Sequence, residues 1–465
     1  MKKTPVFCLC LAVACSPEEA VEEFVSSTFD QPWIVQNITV GNSEDAAETI
    51  VVNSCETAQT IEGFGVCFSE LGWQSLGMLP ETERKAVLEE LFKPGLGANL
   101  TINRTPIGGN DFSLDWYSYN DVEGDFAMEN FSIEHDLGTL VSLIKDAQAI
   151  NPEMKIWATP WCPPTWMKRN RHYAMRPDPA VNDLPEARRG YEGEDMFIQE
   201  EPYFEAYALY FEKYIKAYKE QGIDIFMVMP QNEPNSDQNF PSCCWTSKGL
   251  VKFMKHLAPK MSELGVDLYF GTCERPSVAL IDTVLTDPEV GKYIKGAGFQ
   301  WAGRSAVSSV KENYPSLELY MTEQECGDGK NDWAGALHSW ELLKHYLSNG
   351  VNVYDYWNIS LVENGLSRWA WRQNSLVVVN PEEKTSRYSI EYYLLKHASH
   401  YVLPGAKLIK TDPSADALAF INTDGSIITI LANETDAPKT VSLVIDGKTL
   451  CLTLQPQSFN TLKLR

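Results

Sequence analysis

Short apolar segments alternate along most of the chain with longer segments that carry apolar residues at helical spacing. From residue 61 onward, eight apolar runs have the length and composition of buried strands. They are 61–68, 98–107, 155–161, 224–230, 267–274, 296–303, 317–323 and 351–360.

The intervening segments show the periodicity of amphipathic helices. The clearest is 201–221, which Gly222 should terminate at its C-terminal end. Its apolar positions follow i, i+3, i+4, i+7 spacing and predict one buried face: Phe204, Tyr207, Ala208, Phe211, Tyr214, Ile215 and Tyr218. Further helices are predicted over 134–150, 247–264 and 332–349, the last with Asp332 as its N-cap.

Eight strands that alternate with helices predict a parallel sheet covered on both faces. At this length we expect an α/β fold in which residues 61–399 form a closed (β/α)8 barrel, the TIM barrel. An open, doubly wound sheet is the alternative. Such a sheet usually carries a glycine-rich phosphate loop after its first strand, and "GFGVCF" (63–68) does not fit that fingerprint.

The pattern changes to strand-like alternation near residue 400. Five short strands and two hairpin turns, at Asp424-Gly425 and Asp446-Gly447, are predicted there. The stretch 33–53 is also strand-like, and two strands alone would be unstable. We therefore expect residues 31–60 and 400–465 to form one β-sandwich side domain, with residues 16–30 as a flexible tether.

The first 15 residues resemble an export signal, because two lysines precede an apolar stretch too short to span a bilayer. The end of this segment, "AVAC", resembles a bacterial lipoprotein cleavage site with Cys15 as the lipidated residue. Such sites usually have Leu where this chain has Ala12. We expect export to the bacterial cell envelope with a lipid anchor in the outer membrane or at the cell surface. The alternative is a periplasmic or secreted protein without lipid.

Composition narrows the function classes. The formal net charge is −24, which should repel nucleic acids and anionic membranes. Eight cysteines follow the signal segment without zinc-ligand spacing, so we expect mostly buried thiols, with a single disulfide as the alternative. The sequence predicts neither a metal site nor a cofactor.

Two acidic residues stand where a barrel would place its active site. Glu233 follows Asn232 at the end of the fourth predicted strand, and Glu323 ends the seventh. Two carboxyl groups that face each other across a barrel mouth are the arrangement needed for glycoside hydrolysis, and their separation distinguishes retention from inversion. Glu325 is a rival to Glu323, which we prefer because it directly follows the apolar run.

An ordered set of segments from residue 61 to about 406 resembles glycoside hydrolase family 30, the family of lysosomal glucosylceramidase and of bacterial and fungal β-1,6-glucanases. The matching segments are "IEGFGVCFSE", "NRTPIGGNDFSLDWYSYND", "WATPWCPPTWMK", "MPQNEP", "LTDPEVGKYIKG", "LYMTEQEC", "YDYWNISL" and "YYLLKHASHYVLPGA". The terminal β segments match the side domain of the family.

The resemblance implies a retaining β-glycosidase that acts on β-glucosidic linkages through two glutamates, with a carbohydrate or glycoconjugate as substrate. It makes Glu233 the general acid/base and Glu323 the nucleophile. The implied substrate-binding residues are Asn232 for the sugar 2-hydroxyl, Arg104 beneath the carboxylates, Asp121, Trp161 and Trp357 around the non-reducing sugar, and Trp301 after the sixth strand.

The chain departs from the glucosylceramidase pattern at three places. Gln300-Trp301-Ala302 stands where that enzyme has His-Trp-Tyr, and Arg368 replaces an Asn before a Trp. The segment 170–197 is long and rich in charge and proline, and such loops line the barrel mouth. These departures affect the expected aglycone specificity and leave the chemistry in place.

Three alternatives remain at the level of sequence. A β-xylosidase, β-fucosidase, β-galactanase or xylanase would belong to the same family. A non-catalytic glycan-binding lipoprotein would keep the barrel but should lack one of the two acids. A metal-dependent hydrolase would need His and Asp clusters at strand ends, where none of the seven histidines forms such a pattern.

Overall fold

The computed structural model describes residues 21–36, 46–367 and 369–465. Its central feature is a closed barrel of eight parallel strands in chain order, in which the last strand pairs with the first. The barrel strands are Gly63–Cys67, Ile102–Pro106, Lys155–Thr159, Ile225–Val228, Asp267–Cys273, Ile294–Gln300, Glu318–Glu323 and Val353–Asn358. The predicted barrel is confirmed, and the open sheet is excluded because the sheet closes.

Helices surround the barrel and bury their apolar faces against it. The predicted helix 201–221 is observed as Glu201–Glu220, with its tyrosines and phenylalanines buried. Asp332 caps its helix as predicted, by accepting a hydrogen bond from the backbone N–H of Gly335. The helices are Glu70–Gly77, Glu81–Phe92, Glu134–Leu137, Leu140–Ile150, Glu201–Glu220, Ser247–Leu264, Ala279–Leu285, Val307–Asn313, Trp333–Ser348 and Ile390–Ser399.

The side domain is a β-sandwich built from both ends of the described chain. One sheet has the strand order Ile34–Val35, Val21–Ser27, Ser458–Leu464, Ile427–Asn433, Ala417–Ile421, Lys407–Ile409 and Thr57–Thr60. The other has the order Lys448–Leu454, Lys439–Ile445 and Glu48–Val52. The two predicted hairpin turns lie between adjacent antiparallel strands, at Asp424-Gly425 and Asp446-Gly447.

The N-terminal boundary of the sandwich differs from the prediction. Val21–Ser27 lies within the segment expected to be a tether, but it is a strand that pairs with Ser458–Leu464. Phe24 and Val25 are buried there, so this strand contributes to the packed interior. The prediction of a tether is therefore wrong for these residues. The predicted signal segment and Cys15 lie outside the described residues.

A small sheet not predicted from the sequence follows the eighth barrel strand. It consists of Ser360–Val362, Val377–Asn380 and Thr385–Tyr388. The loop between its first two strands contains Trp371 and Gln373, which reach the cavity described below. The small sheet thus anchors both ends of a loop at the barrel mouth.

The helix Ile390–Ser399 joins the barrel to the sandwich. His397 is buried, with its two ring nitrogens at 2.8 Å from the hydroxyl of Thr461 and 2.9 Å from that of Ser27. Trp33 packs against the His397 ring and against the ammonium group of Lys396. These contacts hold a barrel helix against two sandwich strands.

Two further features bear on the sequence predictions. Among the described residues, no helix is long and apolar enough to cross a membrane. The eight cysteines from Cys55 to Cys451 are free thiols; Cys55 is exposed and the other seven are buried.

Candidate active site

A cavity of about 330 Å³ opens where the barrel strands end. Its lining residues follow or end several different strands, which is where active sites of this fold lie. They are Asp111, Trp161, Asn232, Glu233, Ser236, Gln238, Phe240, Glu274, Arg275, Trp301, Ala302, Glu323, Trp371 and Gln373.

Glu323 is the last residue of the seventh barrel strand, and it is paired with a cation. Arg104, fully buried on the second strand, donates from Nη1 to Glu323 Oε2 at 2.8 Å and to the carbonyl of Thr322 at 3.1 Å. The indole N–H of Trp301 lies 3.4 Å from Glu323 Oε1. Both carboxylate oxygens therefore face a donor, a setting that stabilises the ionised form.

Glu233 lies in the turn after the fourth strand and adopts a φ of 47°, an uncommon conformation for a residue with a side chain. Its backbone N–H donates to the hydroxyl of Thr272 at 3.2 Å, which fixes the turn. The side-chain amide of Gln300 donates to Glu233 Oε1 at 3.0 Å. The partner of this carboxyl is thus a neutral amide rather than a cation.

Asn232 connects the two glutamates. Its Oδ1 accepts from Arg104 Nη2 at 2.7 Å, from the Thr272 hydroxyl at 2.9 Å and from Gln300 Nε2 at 3.3 Å. Three donors on one oxygen orient the side chain and leave its Nδ2 group as the donor that Asn232 can offer to a ligand. The chain of contacts from Glu233 to Glu323 therefore runs through amide and guanidinium groups.

Burial raises the pKa of Glu233 to about 7, and the neighbouring Glu274 carboxyl adds to this effect. Burial also raises the pKa of Glu323 to about 7, but there the Arg104 guanidinium acts in the opposite direction. The geometry therefore favours the anion at Glu323 and the protonated acid at Glu233. A reaction that uses one carboxyl group as nucleophile and another as general acid requires the first to be ionised and the second to be protonated.

The three predicted tryptophans lie in or next to the cavity. Trp161 and Trp301 line it. Trp357 is buried next to Trp161, with 5.5 Å between the ring centroids, and the Arg104 guanidinium lies over the rings of Trp161 and Trp357. Trp357 thus supports the wall that Trp161 presents.

Asp121 is not part of this site. It is exposed on the surface and accepts hydrogen bonds from Ser118 at 2.7 Å and from the Tyr173 hydroxyl at 2.9 Å. Asp111 lines the cavity instead, is buried, and has an Oδ1 without a hydrogen-bond partner among the described residues. Burial raises the pKa of Asp111 well above its usual range. The prediction for Asp121 is corrected to Asp111.

Glu325, the rival to Glu323, is held outside the cavity. Its two oxygens pair with Arg304 at 2.6 Å and with His338 of the helix Trp333–Ser348 at 3.0 Å, and neither partner lines the cavity. Glu323, not Glu325, therefore occupies the cavity.

Other cavity residues were not singled out from the sequence. Glu274 directly follows the fifth barrel strand, so the strand-end rule that located Glu233 could also have found it. Ser236, Phe240, Trp371 and Gln373 come from loops whose paths no periodicity predicts. The long segment 170–197 reaches the cavity edge through a bidentate ion pair between Glu192 and Arg275.

Among the described residues, no group of three or more His, Cys, Asp or Glu side chains is arranged to hold a metal ion.

Comparisons with known proteins agree with this architecture. The glycosyl hydrolase family 30 TIM-barrel domain matches residues 61–402, and the β-sandwich domain of the same family matches residues 405–462. The chain is 25% identical to lysosomal acid glucosylceramidase from Mus musculus, over 83% of this chain and 77% of that protein. It is 26% identical to an endo-1,6-β-D-glucanase from Neurospora crassa, over 81% of this chain and 79% of that protein.

A solved structure extends the likeness to three dimensions. The endo-β1,6-glucanase BT3312 superposes with a TM-score of 0.78 at 25% sequence identity, covering 95% of this chain and 99% of that one. Both the barrel and the sandwich are thus shared in sequence and in structure. The chain therefore belongs to glycosyl hydrolase family 30.

Proposed function

We propose that the protein is a retaining β-glycoside hydrolase that cleaves β-glucosidic linkages in a glycan. The observation that carries the proposal is the pair of buried glutamates in one strand-end cavity, of which Glu323 is paired with Arg104 and Glu233 is not. Family membership supports the same chemistry.

In the first step, an oxygen of ionised Glu323 attacks the anomeric carbon, and the glycosidic C–O bond breaks. The leaving oxygen takes the proton of Glu233. Asn232 is placed to donate to a sugar hydroxyl, and Asp111 offers an unpaired oxygen to another. Trp161 supplies a ring face for the sugar.

In the second step, Glu233 acts as a base. Once Glu323 is glycosylated its negative charge is gone, so Glu233 carries its own charge at lower cost. It takes a proton from water, whose oxygen attacks the anomeric carbon and releases Glu323 as a carboxylate. Two inversions at this carbon give net retention of the β configuration.

A glycan fits this cavity better than a lipid aglycone. Beyond the two glutamates, the walls carry polar and charged groups from Ser236, Gln238, Glu274 and Arg275. Asp111 also lines the cavity, and its Oδ1 has no hydrogen-bond partner among the described residues. A sugar hydroxyl can donate to this oxygen, whereas a ceramide chain would leave it desolvated without a partner. The names of the relatives cover both a glucosylceramidase and β-1,6-glucanases, and we propose the second kind of substrate.

The alternatives within the family, a β-xylosidase, β-fucosidase, β-galactanase or xylanase, use the same two carboxyl groups. A non-catalytic glycan-binding protein is disfavoured because both glutamates are present and oriented into one cavity. We further propose that the protein is exported and anchored through a lipid on Cys15, on the basis of the N-terminal sequence.

The test is turnover of a panel of aryl β-glycosides and β-linked glucans, read by chromatography and by NMR of the first-formed sugar. We expect β-glucosidic substrates to give a β product. Glu323→Ala should lower turnover by several orders of magnitude, and azide should partly restore it as a substitute nucleophile.

The matched control is Glu325→Ala, which removes a carboxylate two residues away that pairs with Arg304 and His338 outside the cavity. This variant should stay close to wild type. An α product at early times, or wild-type protein that turns over no β-glycoside, would contradict the proposal.

A further inference from the structure

A third buried carboxyl group shares the cavity with the two glutamates of the proposed mechanism. Glu274 follows the fifth barrel strand and is 1% exposed, so water screens it even less than Glu233 at 7%. A carboxyl this deeply buried must be neutral or paired. The groups that contact Glu274 therefore determine whether its carboxyl group is neutral or ionised.

Glu274 is attached to the turn that carries Glu233. Its Oε1 accepts from the backbone N–H of Asn235 at 2.8 Å and from the hydroxyl of Ser236 at 3.2 Å. The Ser236 hydroxyl also interacts with the carboxyl of Glu233, so one serine stands between the two acids. Glu274 Oε2 has no hydrogen-bond partner among the described residues.

The cations nearby do not neutralise this pair. Arg104 is committed to Glu323 and Asn232. Arg275 follows Glu274 in sequence, but its guanidinium forms a bidentate pair with Glu192 and donates to the carbonyl of Asn235. Among the described residues, neither Glu233 nor Glu274 therefore forms an ion pair with a cation.

We propose that Glu274 is a positioning residue that shares a proton with Glu233 and so keeps the proposed general acid protonated at neutral pH. Two neighbouring buried carboxyl groups cannot both ionise without a large electrostatic cost, so the second proton leaves at a higher pH than it would from either acid alone. This inference rests on the proposed function.

The electrostatic influences on the pair agree with this arrangement. Burial raises the pKa of Glu274 to about 7, as it does for Glu233, and Glu274 is the largest charged contributor to the raised value at Glu233. The titratable and charged groups that interact with the two acids are Asp111, Cys244, Cys273, Glu323 and Arg275, and the Arg275 guanidinium lowers the pKa of both acids against the effect of burial.

The test is the pH profile of kcat/KM for Glu274→Gln, which keeps the shape and the acceptor oxygen but removes the charge. Activity falls as pH rises through the pKa of Glu233, because the acid must be protonated. Without the Glu274 charge this pKa drops, so the basic limb should move to lower pH by about one unit or more. The acidic limb should move less.

Two comparisons separate this role from a structural one. A substrate with a strongly activated leaving group, such as a 2,4-dinitrophenyl β-glycoside, needs no proton from Glu233 in the first step, so on this substrate the ratio of kcat/KM between E274Q and wild type should not change with pH across the basic limb. Glu274→Asp retains the charge and should retain the basic limb. The control Glu325→Gln should leave both limbs in place.

An unmoved basic limb in folded, active E274Q would overturn the inference while leaving the proposed function intact. Wild-type inactivity on every β-glycoside would instead contradict the proposed function. If E274Q does not fold, the carboxyl carbons of 13C-glutamate-labelled wild type and Glu233→Gln can be titrated by NMR. Proton sharing requires Glu274 to titrate at lower pH in E233Q, and an unchanged value would overturn it.

Discussion

At the scale of single residues, the cavity assigns different roles to chemically identical side chains. Glu233 and Glu323 are both buried glutamates at strand ends, and they differ in their partners: an amide from Gln300 for the first and the Arg104 guanidinium for the second. Protonation follows the partner, because a buried anion is stable beside a cation and costly beside another anion. The family resemblance already implied the two roles and an arginine beneath the carboxylates, whereas the pairing of Arg104 with Glu323 and of Gln300 with Glu233 is seen only in the three-dimensional contacts.

Asp111 and Asp121 provide a matched pair for testing the corrected assignment. Asp111→Ala removes a buried, cavity-lining oxygen that has no hydrogen-bond partner in the part of the chain that the structure describes, so a sugar hydroxyl would lose its acceptor. We expect kcat/KM to fall roughly 10- to 100-fold, the loss expected for one hydrogen bond to a charged or buried polar group. Steady-state kinetics on an aryl β-glucoside would measure it.

Asp121→Ala is the control for this prediction. Its exposed carboxylate contacts Ser118 and Tyr173, none of which lines the cavity, so kcat/KM should stay within about twofold of wild type. A larger effect for D121A than for D111A would restore the assignment made from the sequence. That assignment failed because the loop after the second strand has no periodicity from which its path could be predicted. The sequence alone therefore does not show which of two aspartates, ten residues apart in this loop, faces the cavity.

At the scale of elements, periodicity predicted strands and long helices well. The helix Glu201–Glu220 is long and strongly patterned, and its predicted limits differ by one residue at the C-terminal end. The prediction over 134–150 was less accurate, because the chain forms two helices, Glu134–Leu137 and Leu140–Ile150, separated at Gly138-Thr139. A glycine can break a helix locally, while the apolar residues on either side of it keep the spacing of one buried helical face. The periodicity therefore predicts the buried face but not the break.

The first barrel strand depends on a glycine for close packing. A Cβ added to Gly65 would lie 1.4 Å from the carbonyl oxygen of Ile102 and 2.3 Å from Asp355 Oδ1. The first of these is backbone of the neighbouring strand, so no rotamer change relieves the clash. Gly65→Ala should lower the free energy of unfolding by about 3 kcal/mol or more, measured by urea denaturation.

Gly77 supplies the control for this prediction. It ends the helix Glu70–Gly77 and has no heavy atom within 4 Å of an added Cβ. Gly77→Ala should therefore leave the free energy of unfolding unchanged or raise it by up to about 1 kcal/mol. Equal stability of G65A and wild type would show that the strands around Gly65 pack less tightly than described.

At the scale of the whole molecule, the sandwich is part of the barrel's support. Its first strand, Val21–Ser27, brings Ser27 to the buried ring of His397, and Ser458–Leu464 brings Thr461 to the other side. The aromatic ring of Phe459 packs on Trp333 and Trp340 of a neighbouring barrel helix. The sequence predicted a side domain from both termini, but a strand as short and acidic as "VEEFVSS" has no pattern that separates it from a tether.

The buried imidazole makes this junction sensitive to acid. Burial lowers the pKa of His397 to about 3, while the unfolded chain keeps a value near 6.5. Below pH 6.5 the unfolded state therefore binds a proton that the folded state does not, and stability decreases as pH falls toward 3. His397→Gln lacks this group, so the stability of wild type relative to H397Q should decrease by about 2 kcal/mol between pH 7 and pH 5.

Urea denaturation of wild type and H397Q at several pH values measures this difference directly. His338 provides a control, because its effect on stability should change with pH in the opposite direction. The Glu325 carboxylate raises the pKa of His338 in the folded protein. The stability that protonated His338 contributes is therefore fully present below pH 6.5, and it is lost as the pH rises through the pKa of His338 in the folded protein. Wild type should therefore gain stability relative to His338→Gln over the same fall in pH. A difference between wild type and H397Q that stays constant from pH 7 to pH 5 would mean that His397 has the same pKa in the folded protein as in the unfolded chain and becomes protonated in both as pH falls. The two hydroxyls at the junction would then accept from a cation, and acid would not loosen the sandwich from the barrel through this residue.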